Sequence, residues 1–171
     1  MIIGITGKAG SGKNTLAELI VKLYPEYKFE IVAFADKVKQ VYSLITGEEI
    51  VDTPAWKSEF LPAWGMTRRE MLQRIGTDAM RDNLHKDVWV KALFSGFKPE
   101  KNYIITDVRF LNEALEVRGK GGIVVRVKRD NAPQIAESNH PSETELDDQL
   151  FFTVDNSGPA WKMGEAIKIL F

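Results

Sequence analysis

The chain contains no cysteine, which excludes disulfides and thiolate metal sites and suits a reducing cytoplasm. It has only two histidines, His85 and His140, and the stretch His140-Pro141-Ser142-Glu143 does not have the ligand set of a zinc site. No apolar run reaches membrane-spanning length, and the N-terminal apolar run reads as a strand rather than a secretory signal, so no membrane partner is expected. Excess charge of either sign is also missing. Lys and Arg number 23 against 24 Asp and Glu, a net charge of −1, which gives no reason to expect a surface for polymeric nucleic acid. There is no internal repeat and no low-complexity tract. What remains is an ordinary globular composition over 171 residues, enough for one domain with a substantial core.

Against that background one motif stands out. The apolar stretch Met1-Ile2-Ile3-Gly4-Ile5-Thr6 runs into Gly7-Lys8-Ala9-Gly10-Ser11-Gly12-Lys13-Asn14-Thr15, followed by Leu16, Leu19, Ile20 and Leu23 on one helix face. Strand, glycine-rich turn and helix in this order make a phosphate cradle. Gly7, Gly10 and Gly12 permit positive φ and leave no Cβ in a ligand's way. The amides of the loop, Ser11 and Asn14 included, can then point at an anion, with the helix N-terminus adding partial positive charge. Lys13 would reach the β- and γ-phosphates of a nucleoside triphosphate. Asn14 stands where Ser or Thr is usual, so the hydroxyl that would ligate Mg²⁺ is assigned to Thr15. A glycine-rich hairpin with a chance lysine is the alternative, but the flanking strand and helix disfavour it.

Apolar runs at about 2–6, 30–35, 102–107, 122–128 and 151–155 read as strands, several apolar on consecutive residues as in a sheet covered on both faces. Helical patterns lie between them. Val38, Val41, Tyr42 and Ile45 follow Asp36, which reads as an N-cap. Thr67-Arg68-Arg69-Glu70 is a capping box opening a helix to Ala79, and Leu111 to Val117 and Ala160 to Leu170 supply two more. The alternation implies an α/β fold with a parallel sheet. Two segments break it, 46–66 and 129–149, and loops of that length are usually functional or disordered. Val41 and Ile45 fit either a core or a homodimer interface.

Further candidates cluster at the carboxyl ends of strands, where α/β folds hold ligands. Asp107 would order Mg²⁺ or accept a proton, and Arg109 would clamp a phosphate with its planar fork. Arg68 and Arg69 occupy the first turn of a helix, where the macrodipole opposes positive charge by ~0.3–1 kcal/mol unless an anion binds. Asp36 and Lys37 follow the second strand, with Lys37 a phosphate contact and Asp36 also a helix cap. Arg126, Lys128 and Arg129 lead into the polar 129–149 segment, and Arg129 is the charge best placed to reach a transferring phosphoryl group. Trp89 is a candidate base-stacking residue, although such aromatics are more often core.

Taken together these blocks resemble the deoxynucleoside monophosphate kinases of large bacterial viruses, a branch of the P-loop kinase fold. The matching blocks are Gly10 to Thr15, Phe34 to Lys39, Arg69 to Asp78, Asp87 to Val90, Thr106 to Ala114, His140 to Glu143 and Val154 to Gly158. The resemblance implies a single domain over 1–171, a three-layer sandwich with a five-stranded parallel sheet flanked by helices. It also implies an NMP-binding region at about 46–90 and a lid at about 129–149. The implied reaction moves the γ-phosphoryl of ATP to a deoxynucleoside monophosphate with Mg²⁺. Lys13 and the loop would hold the ATP phosphates, Asn156 would lie near the adenine, and Arg69, Arg109 and Lys37 would grip the monophosphate. Arg129 would act from the lid. Arg68 has no clear counterpart in that pattern.

Two rivals remain open at this point. A kinase resembling dephospho-coenzyme A kinase would use a hydroxyl acceptor and Asp107 as base. A nucleotide switch would need the guanine-reading Asn-Lys-x-Asp motif, which the sequence lacks.

Overall fold

A computed structural model describes residues 1–130 and 144–171. The block His140 to Glu143 and the central part of the expected lid lie outside the described residues. In chain order the elements are β1 (Ile2–Thr6), α1 (Lys13–Leu23), β2 (Glu30–Val32), α2 (Phe34–Thr46), α3 (Pro54–Ser58), β3 (Phe60–Leu61), β4 (Met66–Thr67), α4 (Arg68–Gln73), α5 (Val88–Phe94), β5 (Tyr103–Ile105), α6 (Leu111–Gly119), β6 (Ile123–Lys128), β7 (Phe152–Asp155) and α7 (Ala160–Ile167). They form two compact units, Met1–Ala33 with Phe97–Phe171, and Phe34–Gly96.

The first unit is built on a five-stranded sheet in the order β2-β5-β1-β6-β7, every pair parallel. Its two faces separate by the period-two rule of strands. Ile3 and Ile5 pack with Leu16, Ala17 and Ile20 of α1 and with Met163 and Ile167 of α7 in one buried cluster. A fully buried side chain of this kind contributes roughly 1.5–3 kcal/mol. Gly4 faces the other way, where a Cβ would meet Val108 at 2.9 Å and Val117 of α6 at 3.4 Å. Helices therefore cover both faces, as the consecutive apolar strands imply.

β2 is shorter than the apolar run 30–35 suggests. Its partner β5 ends at Ile105, opposite Val32, so no ladder is left for Ala33 to Ala35, and α2 begins at Phe34. Asp36 is accordingly a first-turn acid and not the N-cap, still favourable to the helix dipole and paired with Lys39 at 3.4 Å.

The second unit packs α2 against α4, α5 and a π-helical continuation of α4 over Arg74–Asp82. Phe34, Tyr42, Leu61, Met71, Ile75, Trp89, Val90 and Leu93 are its buried hydrophobic side chains. The segment 46–66 carries structure that its prolines and glycines hide. Thr53 caps α3, its Oγ1 accepting from Trp56 N at 3.2 Å, with Pro54 at the first helical position. β3 and β4 then pair antiparallel, Phe60 opposite Thr67.

The exit from α6 is a Schellman turn. Gly121, at φ 74°, donates to Arg118 O, and Gly122 donates to Val117 O, each at 2.9 Å. A Cβ on Gly122 would lie 2.8 Å from the carbonyl oxygens of Ile2 and Val117, both backbone and unable to yield cheaply. Gly119 ends α6 with open space around it. We expect Gly122→Ala to destabilise by about 1–3 kcal/mol and Gly119→Ala to stabilise by up to about 1 kcal/mol, as read from urea midpoints.

Candidate active site

The loop after β1 is closed tightly on one side. Gly7 has φ 139°, and a Cβ there would stand 2.3 Å from Val127 O on the neighbouring strand. Gly12 has φ 101°, and its Cβ would stand 2.2 Å from Asn156 Nδ2. Only glycine fits either position. Ser11 N donates to Lys8 O at 3.1 Å, turning the loop, and Lys13 Nζ donates to the carbonyls of Gly7 at 2.7 Å and Lys8 at 3.0 Å. Ser11 is 1% exposed, and its Oγ has no hydrogen-bond partner among the described residues. A buried orphan of this sort costs about 1–3 kcal/mol and is a feature expected of a binding loop. Asn14 and Thr15 are exposed in the first turn of α1.

The N-termini of α1 and α6, both near the carboxyl edge of the sheet, are treated differently. That of α6 is satisfied by the chain's own carboxylates. Glu113, 2% exposed, accepts from Arg109 N at 2.8 Å and Phe110 N at 3.1 Å, and Glu145 accepts from Leu111 N at 2.7 Å. That of α1 begins at Gly12 with no side-chain cap and no acid in its first turn. Its positive end suits an anion supplied from outside.

A cleft of about 470 Å³ opens beside this loop, lined by Thr6, Gly7 and Ser11. Five cationic side chains border it, Lys8, Arg109, Arg126, Lys128 and Arg129, against the carboxylates of Asp130 and Asp147. Lys8 pairs with Asp147 at 2.6 Å, Lys128 lies 3.5 Å from Asp130, and Arg126 donates to the carbonyls of Leu146 and Asp147. Arg109 and Arg129 thus share one cleft with the phosphate loop. Asp107 lies half-buried just beyond β5. Asn156, expected beside an adenine, has its amide turned onto the loop, donating to Ser11 O at 2.8 Å. Glu113 and Asp147 escape a reading of the sequence. The first leaves a partial signal, an acid at the third position of α6, while the second leaves none.

In the second unit the arginine pair divides. The Arg68 side chain is 11% exposed and held bidentate by Glu48, at 2.8 and 3.2 Å, with Glu59 and the face of Trp56 completing its surroundings. The first-turn repulsion is therefore offset by the chain itself, and Arg68 braces the 46–66 segment. Arg69 and Lys37 remain partly exposed, Lys37 Nζ lying 3.4 Å from Gln40 Oε1. Trp89 is 4% exposed, and its indole N–H donates to Gly76 O at 2.7 Å, the placement of a packing residue.

Glu48 accepts from Arg68 and also from the buried Tyr42 hydroxyl, at 2.5 Å, and these bonds hold its carboxyl below the usual 4.5. Burial, reinforced by the bond to Glu48, pushes the Tyr42 phenol up. The stabilisation from Glu48 is complete above its ordinary value and lost as pH falls through the lowered one. Glu48→Gln should lower the urea midpoint at neutral pH, and its deficit relative to wild type should shrink as the pH falls below the ordinary carboxylate value and through the lowered one. A deficit independent of pH would contradict the ion pair.

The family model described as deoxynucleotide monophosphate kinase matches residues 48–150, which include Arg69, Asp107, Arg109 and Arg129. A protein of Acanthamoeba polyphaga mimivirus named "Putative deoxynucleotide monophosphate kinase" is 34% identical over 165 residues, covering 85% of this chain and 82% of the relative. Among solved structures, a dephospho-CoA kinase from Campylobacter jejuni superposes with a TM-score of 0.51 at 15% identity, covering 99% of this chain and 94% of that one, a likeness of fold alone. Family match and viral relative agree with the phosphate loop and its cationic cleft: this chain belongs to the deoxynucleotide monophosphate kinase family and is a nucleotide-binding P-loop kinase.

Proposed function

We propose that the protein transfers the γ-phosphoryl of ATP to the phosphate of a deoxynucleoside monophosphate, giving ADP and a deoxynucleoside diphosphate. The observation that carries this reading is the pairing of an acid-free helix N-terminus at Gly12 with a cleft that brings Arg109 and Arg129 to the same loop. In this reading Lys13 leaves the carbonyls of Gly7 and Lys8 for the β- and γ-phosphates, and the α1 amides hold the rest of the donor. Arg69, Lys37 and Arg109 serve the acceptor phosphate. Arg129 meets charge developing on the transferred group.

The bond from the γ-phosphorus to its bridging oxygen breaks as a bond to an acceptor phosphate oxygen forms. The acceptor is already ionised near neutral pH, so the protein supplies position and positive charge rather than a strong base. The oxygens of Thr15 and Asp107 suit a hard cation, and no cluster of three or more acids or histidines able to hold a metal unaided occurs among the described residues. Mg²⁺ brought in with the triphosphate would neutralise its charge there. The segment 129–149 acts as the lid and the 46–90 stretch as the acceptor region within one working kinase. No helix among the described residues is long and apolar enough to cross a membrane, and a cytoplasmic site of action fits that.

Lys13→Ala and Arg109→Ala should each lower kcat by about 10²–10³-fold, the scale for removing one donor from a developing charge, with little change in the urea midpoint. Near-wild-type turnover in either variant would contradict these roles.

A further inference from the structure

The turn after β7 is held with unusual completeness. Asn156 N donates to Lys128 O at 2.7 Å, Ser157 N donates to Asp155 Oδ1 at 2.7 Å, and Ser157 Oγ accepts from Asp130 N at 3.0 Å. Asn156 therefore projects from a fixed base between the end of β6 and the phosphate loop. Its side-chain N–H donates to Ser11 O at 2.8 Å, and the same nitrogen fills the space that any Cβ on Gly12 would need.

A peptide unit is planar and trans, so its C=O and N–H point in opposite directions. Pinning Ser11 O from one side aims the N–H of Gly12 to the other, away from Asn156. The geometry points to Asn156 as a positioning residue that orients the Ser11–Gly12 peptide for the donor phosphates, acting on the triphosphate whatever base it carries. This rests on the donor reading of the loop and replaces an adenine contact by a phosphate-side role. Aspartate could not substitute, because a carboxylate has no N–H to give and would set negative charge against both the carbonyl and the ligand.

Calorimetric titration of wild type, Asn156→Ala and Asn156→Asp with ATP, GTP and inorganic tripolyphosphate, each with Mg²⁺, tests this. Asn156→Ala should weaken all three by a similar factor, roughly 3- to 10-fold for one lost hydrogen bond, leaving the ATP-to-GTP ratio unchanged. Asn156→Asp should weaken them at least as much. Loss confined to the nucleotides, with tripolyphosphate unaffected, would make Asn156 a base contact and overturn the proposal alone, as would wild-type binding in Asn156→Asp. Failure of the wild type to bind any of the three would remove the donor reading and this proposal together. Amide exchange of the unliganded proteins separates orientation from stability. Exchange should quicken at Gly12 to Asn14 in both variants and stay unchanged in β1 and β6. Uniform quickening throughout would overturn the proposal.

Discussion

Parallel pairing of β1 with β5 on one side and β6 on the other is the constraint on which the site depends. The registers place Gly4 opposite Ile105 and Thr6 opposite Arg126, so the carboxyl ends of three adjacent strands share one edge. The phosphate loop leaves β1 at that edge, Asp107 and Arg109 leave β5, and Lys128 and Arg129 leave β6. The contact between loop and strand is backbone against backbone, Gly7 on Val127 O, which no side chain could replace without displacing the sheet. A ligand site at the junction of oppositely directed crossovers follows from the topology.

The ion pairs at this edge are exposed and weak. Lys8 with Asp147 and Lys128 with Asp130 are half-exposed or more, and exposed pairs of this kind contribute about 0–1 kcal/mol. A polyphosphate can displace such partners at small cost, whereas the α6 N-terminus, closed by buried Glu113, offers it nothing. Arg68 is the contrasting case. Held on two oxygens of Glu48 and set over the Trp56 ring, it shapes the 46–66 segment.

What a sequence reveals here depends on how far apart the partners lie. The phosphate loop, the Thr67–Glu70 capping box and the five apolar strands are local patterns, and each is present, although β2 and β5 are shorter than their apolar runs. The end of β2 was not legible, because it is fixed by the length of its partner strand rather than by its own apolar residues. Nor was the β3–β4 hairpin, whose strands are two residues each. The local sequence treats Arg68 and Arg69 alike, and only the fold brings Glu48, 20 residues away, onto Arg68. Asn156 acts on a carbonyl 145 residues earlier, and no spacing rule spans that distance.

A deoxynucleotide monophosphate kinase moves one phosphate group onto another. The most direct measurement incubates the protein with ATP, Mg²⁺ and, separately, each deoxynucleoside and ribonucleoside monophosphate and a sugar-hydroxyl acceptor such as dephospho-coenzyme A, identifying the products by ³¹P NMR. The expected result is ADP and a deoxynucleoside diphosphate in equal amounts from at least one deoxynucleoside monophosphate. Phosphorylation of the hydroxyl acceptor alone, or ATP consumption without any nucleoside diphosphate from the acceptor, would contradict it.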